Sequence, residues 1–304
     1  MHTIVKGRYA ASASVHIVAL LFGLVGIFGK LAGTGEWITT SGRALFASIA
    51  LVTAAILRKE LPPGSFGWRN LRTFMISGTF ISIHWVTFFI AARTSGVAIA
   101  AFGFAGFPAF STVMECIFLR ERVHRAEWIL LCFTVTGLGL IAPPIRHDGS
   151  ATIGMLWGLS SGVSFAVVLL INRHAAARLT PLQLACGQCL AATLITLPAA
   201  VTGLQSPTAS AWCWIATLGV LCTAVPYLLL ISGLASLNAR TASMILSLEP
   251  AYAMAFGWML CAQVPDRRLL SGAAIVVVST VATGRLQSCR SSPSSISGPP
   301  LSQS

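Results

Sequence analysis

Residues 73–91 read TFMISGTFISIHWVTFFIA, nineteen positions with no formally charged side chain, bounded by Arg72 and Arg93. As an α-helix this run is about 28 Å long, close to the roughly 30 Å hydrocarbon core of a bilayer. Its one titratable group, His84, lies near the middle. Outward from this run the pattern repeats. Apolar stretches separated by basic residues and Gly/Pro turns occur at 12–30, 37–57, 97–119, 127–143, 152–171, 181–201, 211–233, 241–261 and 269–284. The reading is an all-α polytopic membrane protein with ten transmembrane helices. Composition supports it: 304 residues, 55% hydrophobic, 20 Lys+Arg against 8 Asp+Glu, mean hydropathy +0.81. Charged residues make up 9% of the chain, against about 25% in soluble domains, which is too little polar surface for a globule in water. Soluble-enzyme, collagen-like and disordered classes are excluded on this ground.

The net charge of +12 is spread in short basic groups between apolar runs, which fits lipid headgroups and not a nucleic-acid stripe. With the N-terminus inside, one side of the membrane collects fourteen Lys/Arg, from Lys6 and Arg8 to Arg285 and Arg290. The other side collects five: Lys30, Arg93, Arg146, Arg267 and Arg268. The positive-inside rule therefore predicts a multi-pass protein of the cell (inner) membrane with both termini cytoplasmic. Residues 1–11 form a cytoplasmic N-terminus, and the first span is too long to be a cleaved signal peptide. The Ser/Pro-rich residues 285–304 are read as a disordered cytoplasmic tail. Cys186 and Cys189 form a C-x-x-C without a second pair or a nearby His, so they read as filler. No metal or cofactor is expected.

The chain repeats itself. At an offset of 142 residues, His84-Trp85-Val86-Thr87-Phe88-Phe89 falls on Pro226-Tyr227-Leu228-Leu229-Leu230-Ile231, Pro108-Ala109-Phe110 on Pro250-Ala251-Tyr252, and Glu121 on Gln263. Five spans per copy, 12–143 and 152–284, is an odd number. The copies would therefore enter the membrane from opposite sides, as two inverted five-helix repeats typical of secondary transporters.

The stretch from His84-Trp85 through Phe107-Pro108 to Phe118-Leu119-Arg120-Glu121-Arg122 resembles the end of an EamA domain of the drug/metabolite transporter superfamily. The second half resembles the same domain through Pro226-Tyr227, Ser247-Leu248-Glu249-Pro250 and Gly272. Gln263 departs from the pattern where the first copy has Glu121. The resemblance implies a ten-helix transporter of small metabolites, not an enzyme, with a central cavity between the halves. It does not specify a substrate.

Ionisable groups inside spans cost about 2.5–3.5 kcal/mol each on insertion scales, so they are the first candidates. Arg43 either meets an anionic substrate group or braces helix-end carbonyls. His84, on one face with Thr87 and Phe88, either binds substrate or a proton, or packs as a hydrogen-bonded core residue. Glu115 shares a stripe with Phe104, Pro108 and Ser111. It is close enough to the interface to pair with Arg120 or Arg122, and otherwise serves coupling. Glu249, next to Pro250, is a candidate proton or cation site, or a protonated group bonded to a neighbouring helix. Pro108, Pro226 and Pro250 are expected to kink their helices, for gating or for packing. Gly23, Gly26, Gly29 and Gly33 suit close packing of the first helix. Gly158-Leu159-Ser160-Ser161-Gly162 satisfies G-x-S-x-G, but an apolar helix is not a nucleophile elbow. Gly29-Lys30 lacks the spacing and hydroxyl of a P-loop.

The expectation is a secondary transporter, exporting a small polar metabolite such as an amino acid by alternating access, either with proton coupling through Glu249 or His84 or by facilitated diffusion, which needs neither. Its binding wall is expected from His84, Trp85, Phe88, Trp157, Tyr227, Glu249 and Tyr252. The alternatives are a multidrug or cationic-compound exporter and a membrane-embedded enzyme or sensor.

Overall fold

The computed structural model describes residues 2–60, 67–95, 97–141, 149–202, 207–261 and 267–290. These residues are helical throughout, apart from short connections, and contain no strand. Gln263, Arg146, Asp148 and Asp266 lie outside the described residues.

The first apolar run forms α1 (His2–Gly23) and α2 (Val25–Ala32), separated at Leu24. Gly33 ends α2 at φ +62°, the left-handed conformation that a glycine adopts without a Cβ penalty. Then come α3 (Glu36–Leu57), α4 (Trp68–Ser95), α5 (Val97–Phe104), α6 (Phe107–Phe118) and α7 (Arg125–Ile141). The second half gives α8 (Gly149–Ala175), α9 (Pro181–Thr202), α10 (Ala209–Gly219), a π-helical turn (Val220–Ala224) and α11 (Val225–Leu234). It closes with α12 (Ala239–Leu246), α13 (Glu249–Cys261) and α14 (Arg267–Arg290).

Among the described residues, six helical stretches are long and apolar enough to cross a bilayer: 9–32, 36–57, 68–95, 152–175, 181–202 and 209–234. The remaining expected spans fall on the interrupted α5–α6 and α12–α13, on the shorter α7, and on α14, whose apolar stretch is Leu270–Thr283. The helix α14 runs to Arg290, past the expected end at 284. Residues 285–290 contain no Pro or Gly, and the next proline is Pro293, so nothing local stops the helix at 284. The rest of the tail, 291–304, lies outside the described residues.

α4 packs on α8 and α9, α3 on α9 and α10, α1 on α11 and α13, and α7 on α14. Small residues permit the closest approaches. A Cβ on Gly158 of α8 would lie 2.8 Å from the Ala100 carbonyl and 3.0 Å from Gly103 Cα of α5. One on Gly162 would lie 2.9 Å from the Phe104 carbonyl. Gly154, Gly158 and Gly162 recur every fourth residue and so share a face, a small-xxx-small contact of the kind that joins helices in lipid. The G-x-S-x-G match is thus a packing stripe.

Candidate functional site

Arg43 is 3% exposed, in the middle of α3. Its Nε donates to Thr223 Oγ1 (3.1 Å), its Nη2 to the Cys222 carbonyl (3.4 Å), and its guanidinium carbon lies 4.6 Å from the Trp85 ring centroid. Both acceptors belong to the π-helical turn. The Val225 N–H reaches back five residues to the Val220 carbonyl, and Thr223 Oγ1 donates to the Leu218 carbonyl (2.8 Å). In a regular α-helix the Cys222 carbonyl would accept from residue 226, but Pro226 has no N–H. The proline therefore leaves an acceptor that Arg43 takes up.

His84 sits opposite, on α4. Its Nδ1 lies 2.7 Å from Ser161 Oγ, and that hydroxyl donates to the His84 carbonyl (3.0 Å). Ser161's proton being committed there, Nδ1 is the donor of the pair, and Nε2 is the ring's acceptor. The imidazole packs against both Phe104 and Phe165, with centroids at 5.1 and 4.8 Å, and the two phenyl rings touch each other at 5.6 Å. The glycine stripe of α8 brings Ser161 this close to α4.

Arg43, His84, Trp85, Phe88, Tyr227 and Glu249 line a small recess of about 40 Å³. Phe22, Val25, Phe88, Phe104 and Glu249 also border the adjoining cavity, of about 640 Å³. This cavity forms where three helices are interrupted: Gly23 and Val25 flank the α1/α2 break, Ala105 the α5/α6 break, and Ser247 the α12/α13 break. It extends to Lys30 and Leu31, both exposed at the end of α2. Interrupted helices present backbone polar groups, and lipid tolerates such groups only where a cavity or a neighbouring helix receives them.

Of the three prolines expected to kink helices, Pro108 and Pro250 each stand second in a new helical segment, α6 and α13, where the missing N–H has no intrahelical partner to lose. Pro226 instead follows the π-helical turn inside the continuous helical stretch 209–234, where its missing N–H leaves the Cys222 carbonyl to Arg43. Glu249 is the first residue of α13, where a carboxylate also faces the positive end of the helix dipole.

Five of the expected wall residues meet: His84, Trp85, Phe88, Tyr227 and Glu249. Trp157 and Tyr252 are not among the residues that border these two spaces. Trp157 is 39% exposed, one position from Gly158 and so turned about 100° from the glycine stripe. Tyr252 is half-buried against α1, where a Cβ on Gly23 would lie 3.0 Å from its own Cβ. The expectation overlooked Phe22, Phe104, Thr223 and Ser161; each looks like ordinary span filler until its neighbours are known.

Glu115 does not pair with Arg120 or Arg122. Its fully buried carboxylate accepts from Arg173 Nη1 (2.5 Å) and from the backbone N–H of Ala239 (2.6 Å), the first residue of α12. Arg173 also bonds Glu121 (2.6 Å), and Arg240 lies 3.2 Å from Glu121, 3.6 Å from Glu127 and 3.7 Å from Glu115. Glu121 arrives by a tight turn. Arg120 takes φ +53°, and the Glu121 N–H closes back onto the Glu115 carbonyl (3.3 Å). The left-handed residue costs roughly 1–2 kcal/mol. Three acids from the first half thus meet two arginines from the second. At the other end of the molecule, Arg93 on α4 pairs with Glu36 on α3.

Known proteins resemble this chain over most of its length. An uncharacterized transporter of Archaeoglobus fulgidus is 24% identical over 278 residues, 91% of this chain and 97% of the relative. The pseudopaline exporter CntI of Pseudomonas aeruginosa is 24% identical over 216 residues, 69% of this chain and 74% of the exporter. A solved structure, described as the crystal structure of a protein, has the same fold: TM-score 0.78 at 17% identity, covering 93% of this chain and 99% of that one. The model of the EamA-like transporter family matches twice, at 11–142 and at 152–285. The match spans nearly all the described helices and both halves of the duplication, and the chain belongs to the EamA-like transporter family.

Proposed function

We propose that this protein exports a small zwitterionic metabolite, such as an amino acid, by alternating access between two inverted five-helix halves. The observation that carries the reading is the pairing of Arg43 and Glu249 in one recess, where they are the two formal charges among its described lining residues. Arg43 receives the carboxylate of the substrate and Glu249 its ammonium. The apolar remainder lies among Phe22, Phe88 and Phe104 in the wider cavity. A carrier of cationic drugs needs a surplus of acid along its path, whereas Lys30 and Arg43 outnumber Glu249 here. The pseudopaline exporter among the relatives supports export of a small metabolite.

Two features support the inverted repeat. The helix packings pair up when the halves are exchanged: α4 on α8 mirrors α11 on α1, while α3 on α9 and α7 on α14 mirror themselves. The breaks at Ala105-Gly106 and Ser247-Leu248 also stand 142 residues apart, the offset of the sequence repeat. With the N-terminus in the cytoplasm of an inner membrane, the Glu115–Arg173 cluster lies on the cytoplasmic side and the cavity reaches the opposite face through Lys30. This is then the outward-facing state. Protons taken up at Glu249 or His84 drive the cycle.

Purified protein in proteoliposomes with an imposed pH gradient tests the reading. Zwitterionic amino acids are expected to move and to compete with one another, cationic dyes not. Arg43→Gln and Glu249→Gln each lower flux at least tenfold. Flux of cationic dyes alone overturns the substrate assignment. Gradient-driven flux that survives both Glu249→Gln and His84→Ala removes the proton coupling.

A further inference from the structure

A second large space lies away from the transport cavity. It is a groove of about 510 Å³ between the first half of α4 and the end of α6, with the last turns of α8 behind it. Its walls are apolar: Ile76 and Phe80 from α4, Met114 and Phe118 from α6, Leu170 from α8. Phe118 is 72% exposed. Such a side chain at membrane depth faces lipid, because these residues belong to helices whose other faces form the bundle.

One end of the groove is not apolar. His174 and Arg178 border it there. Arg178 is held in place: Nη1 donates to Asn70 Oδ1 (3.2 Å) and Nη2 to Thr73 Oγ1 (2.7 Å). Thr73 in turn donates to the Arg69 carbonyl (3.1 Å). Two of the five guanidinium N–H donors are engaged this way, which fixes the group and leaves donors for an incoming oxyanion. Arg58, Lys59, Arg69 and Arg72 lie at the same end of α3 and α4, and Glu60 is engaged by Thr180 there (3.2 Å). An apolar slot capped by a tethered guanidinium and surrounded by surplus positive charge is complementary to one kind of molecule, a lipid with an anionic headgroup.

We propose that this groove binds an anionic phospholipid, with an acyl chain along Phe80, Met114 and Leu170 and the phosphate on Arg178. The proposal requires only that the chain sits in a bilayer. It stands whether or not the substrate reading of the central recess does.

The test uses the full chain in detergent, titrated with phosphatidylglycerol or phosphatidylcholine and observed by native mass spectrometry. Phosphatidylglycerol is expected to bind about fivefold more tightly than phosphatidylcholine, the preference that one well-placed arginine confers at a membrane surface. Arg178→Gln removes that preference, and Arg178→Lys retains most of it. Leu170→Trp fills the groove and weakens both lipids. Equal binding of the two lipids by the unmodified protein overturns the proposal, as does an unchanged preference in Arg178→Gln. If Arg178→Gln fails to fold, the Leu170→Trp arm decides: unchanged phosphatidylglycerol binding there places the lipid elsewhere and rejects this site.

Discussion

The two ends of the helical bundle carry very different ion pairs. At one end Glu115, Glu121 and Glu127 meet Arg173 and Arg240, with Glu115 fully buried and the turn after α6 drawn inward to deliver Glu121. At the other end Glu36 and Arg93 form a single pair, with the arginine side chain 64% exposed. The buried cluster joins the first half of the chain to the second, whereas the exposed pair joins α3 to α4 within the first half. Under the alternating access proposed above, the cluster that bridges the halves must break in each cycle, which makes opening at the Glu115 end the expensive step of that proposal.

Four substitutions grade this contrast. Glu115→Ala should have the largest effect. It leaves Arg173 short of a partner and the buried Ala239 N–H without its acceptor, and losing one side of a buried pair costs about 3–5 kcal/mol. Thermal unfolding in detergent reads the loss, and a midpoint equal to wild type would show that the cluster does not bear on stability. Arg240→Met should come next, at about 1–3 kcal/mol, because it keeps packing volume while removing the cation that Glu121 and Glu127 share. A cysteine placed near α12 should become more reactive to a water-soluble maleimide in that variant. No gain in labelling would mean that the cluster does not hold this end closed. Glu121→Gln should cost about 1 kcal/mol, since its carboxylate is partly solvated and a neutral amide can still accept from Arg173. Glu36→Gln should be the mildest, at most about 1 kcal/mol, with its effect vanishing in 1 M salt, where the Debye length is about 3 Å. If Glu36→Gln proved more damaging than Glu115→Ala, the contrast between the ends would be reversed.

Six of the ten expected spans were legible in the sequence as helices long and apolar enough to cross, because a bilayer imposes a length and an apolar composition that chance rarely satisfies. The second matched half was legible as well, through Pro108 on Pro250 and the shared offset. What the sequence did not carry is which way each helix faces. Trp157 and Tyr252 have the composition of binding residues and were assigned accordingly. Yet Gly23 holds Tyr252 by demanding close contact with α13, and Trp157 stays exposed although Ser161, one turn on along the same face, reaches His84. The prolines show a subtler gap. Periodicity places them inside apolar runs and suggests kinks, but a run does not reveal that Leu24, Ala105-Gly106 and Ser247-Leu248 divide it into separate segments. Glu115 illustrates the strongest limit. Its sequence neighbours Arg120 and Arg122 were the visible partners, while Arg173 and Arg240 lie more than fifty residues away and reach it only through the packing of α6 against α8 and α12.

The seat of Arg43 carries an engineering lesson. What holds the guanidinium there includes a hydrogen atom that is missing from residue 226. The acceptor at Cys222 is a backbone oxygen, so the fully buried side chain at 222 is constrained by packing and not by this bond. Residue 226 does bear on the bond: Pro226→Ala would restore a competing donor and weaken this 3.4 Å contact, leaving the Thr223 bond and the Trp85 ring in place. A redesign aimed at a new cargo should therefore treat position 226 as part of the electrostatics of the recess, although proline carries no charge.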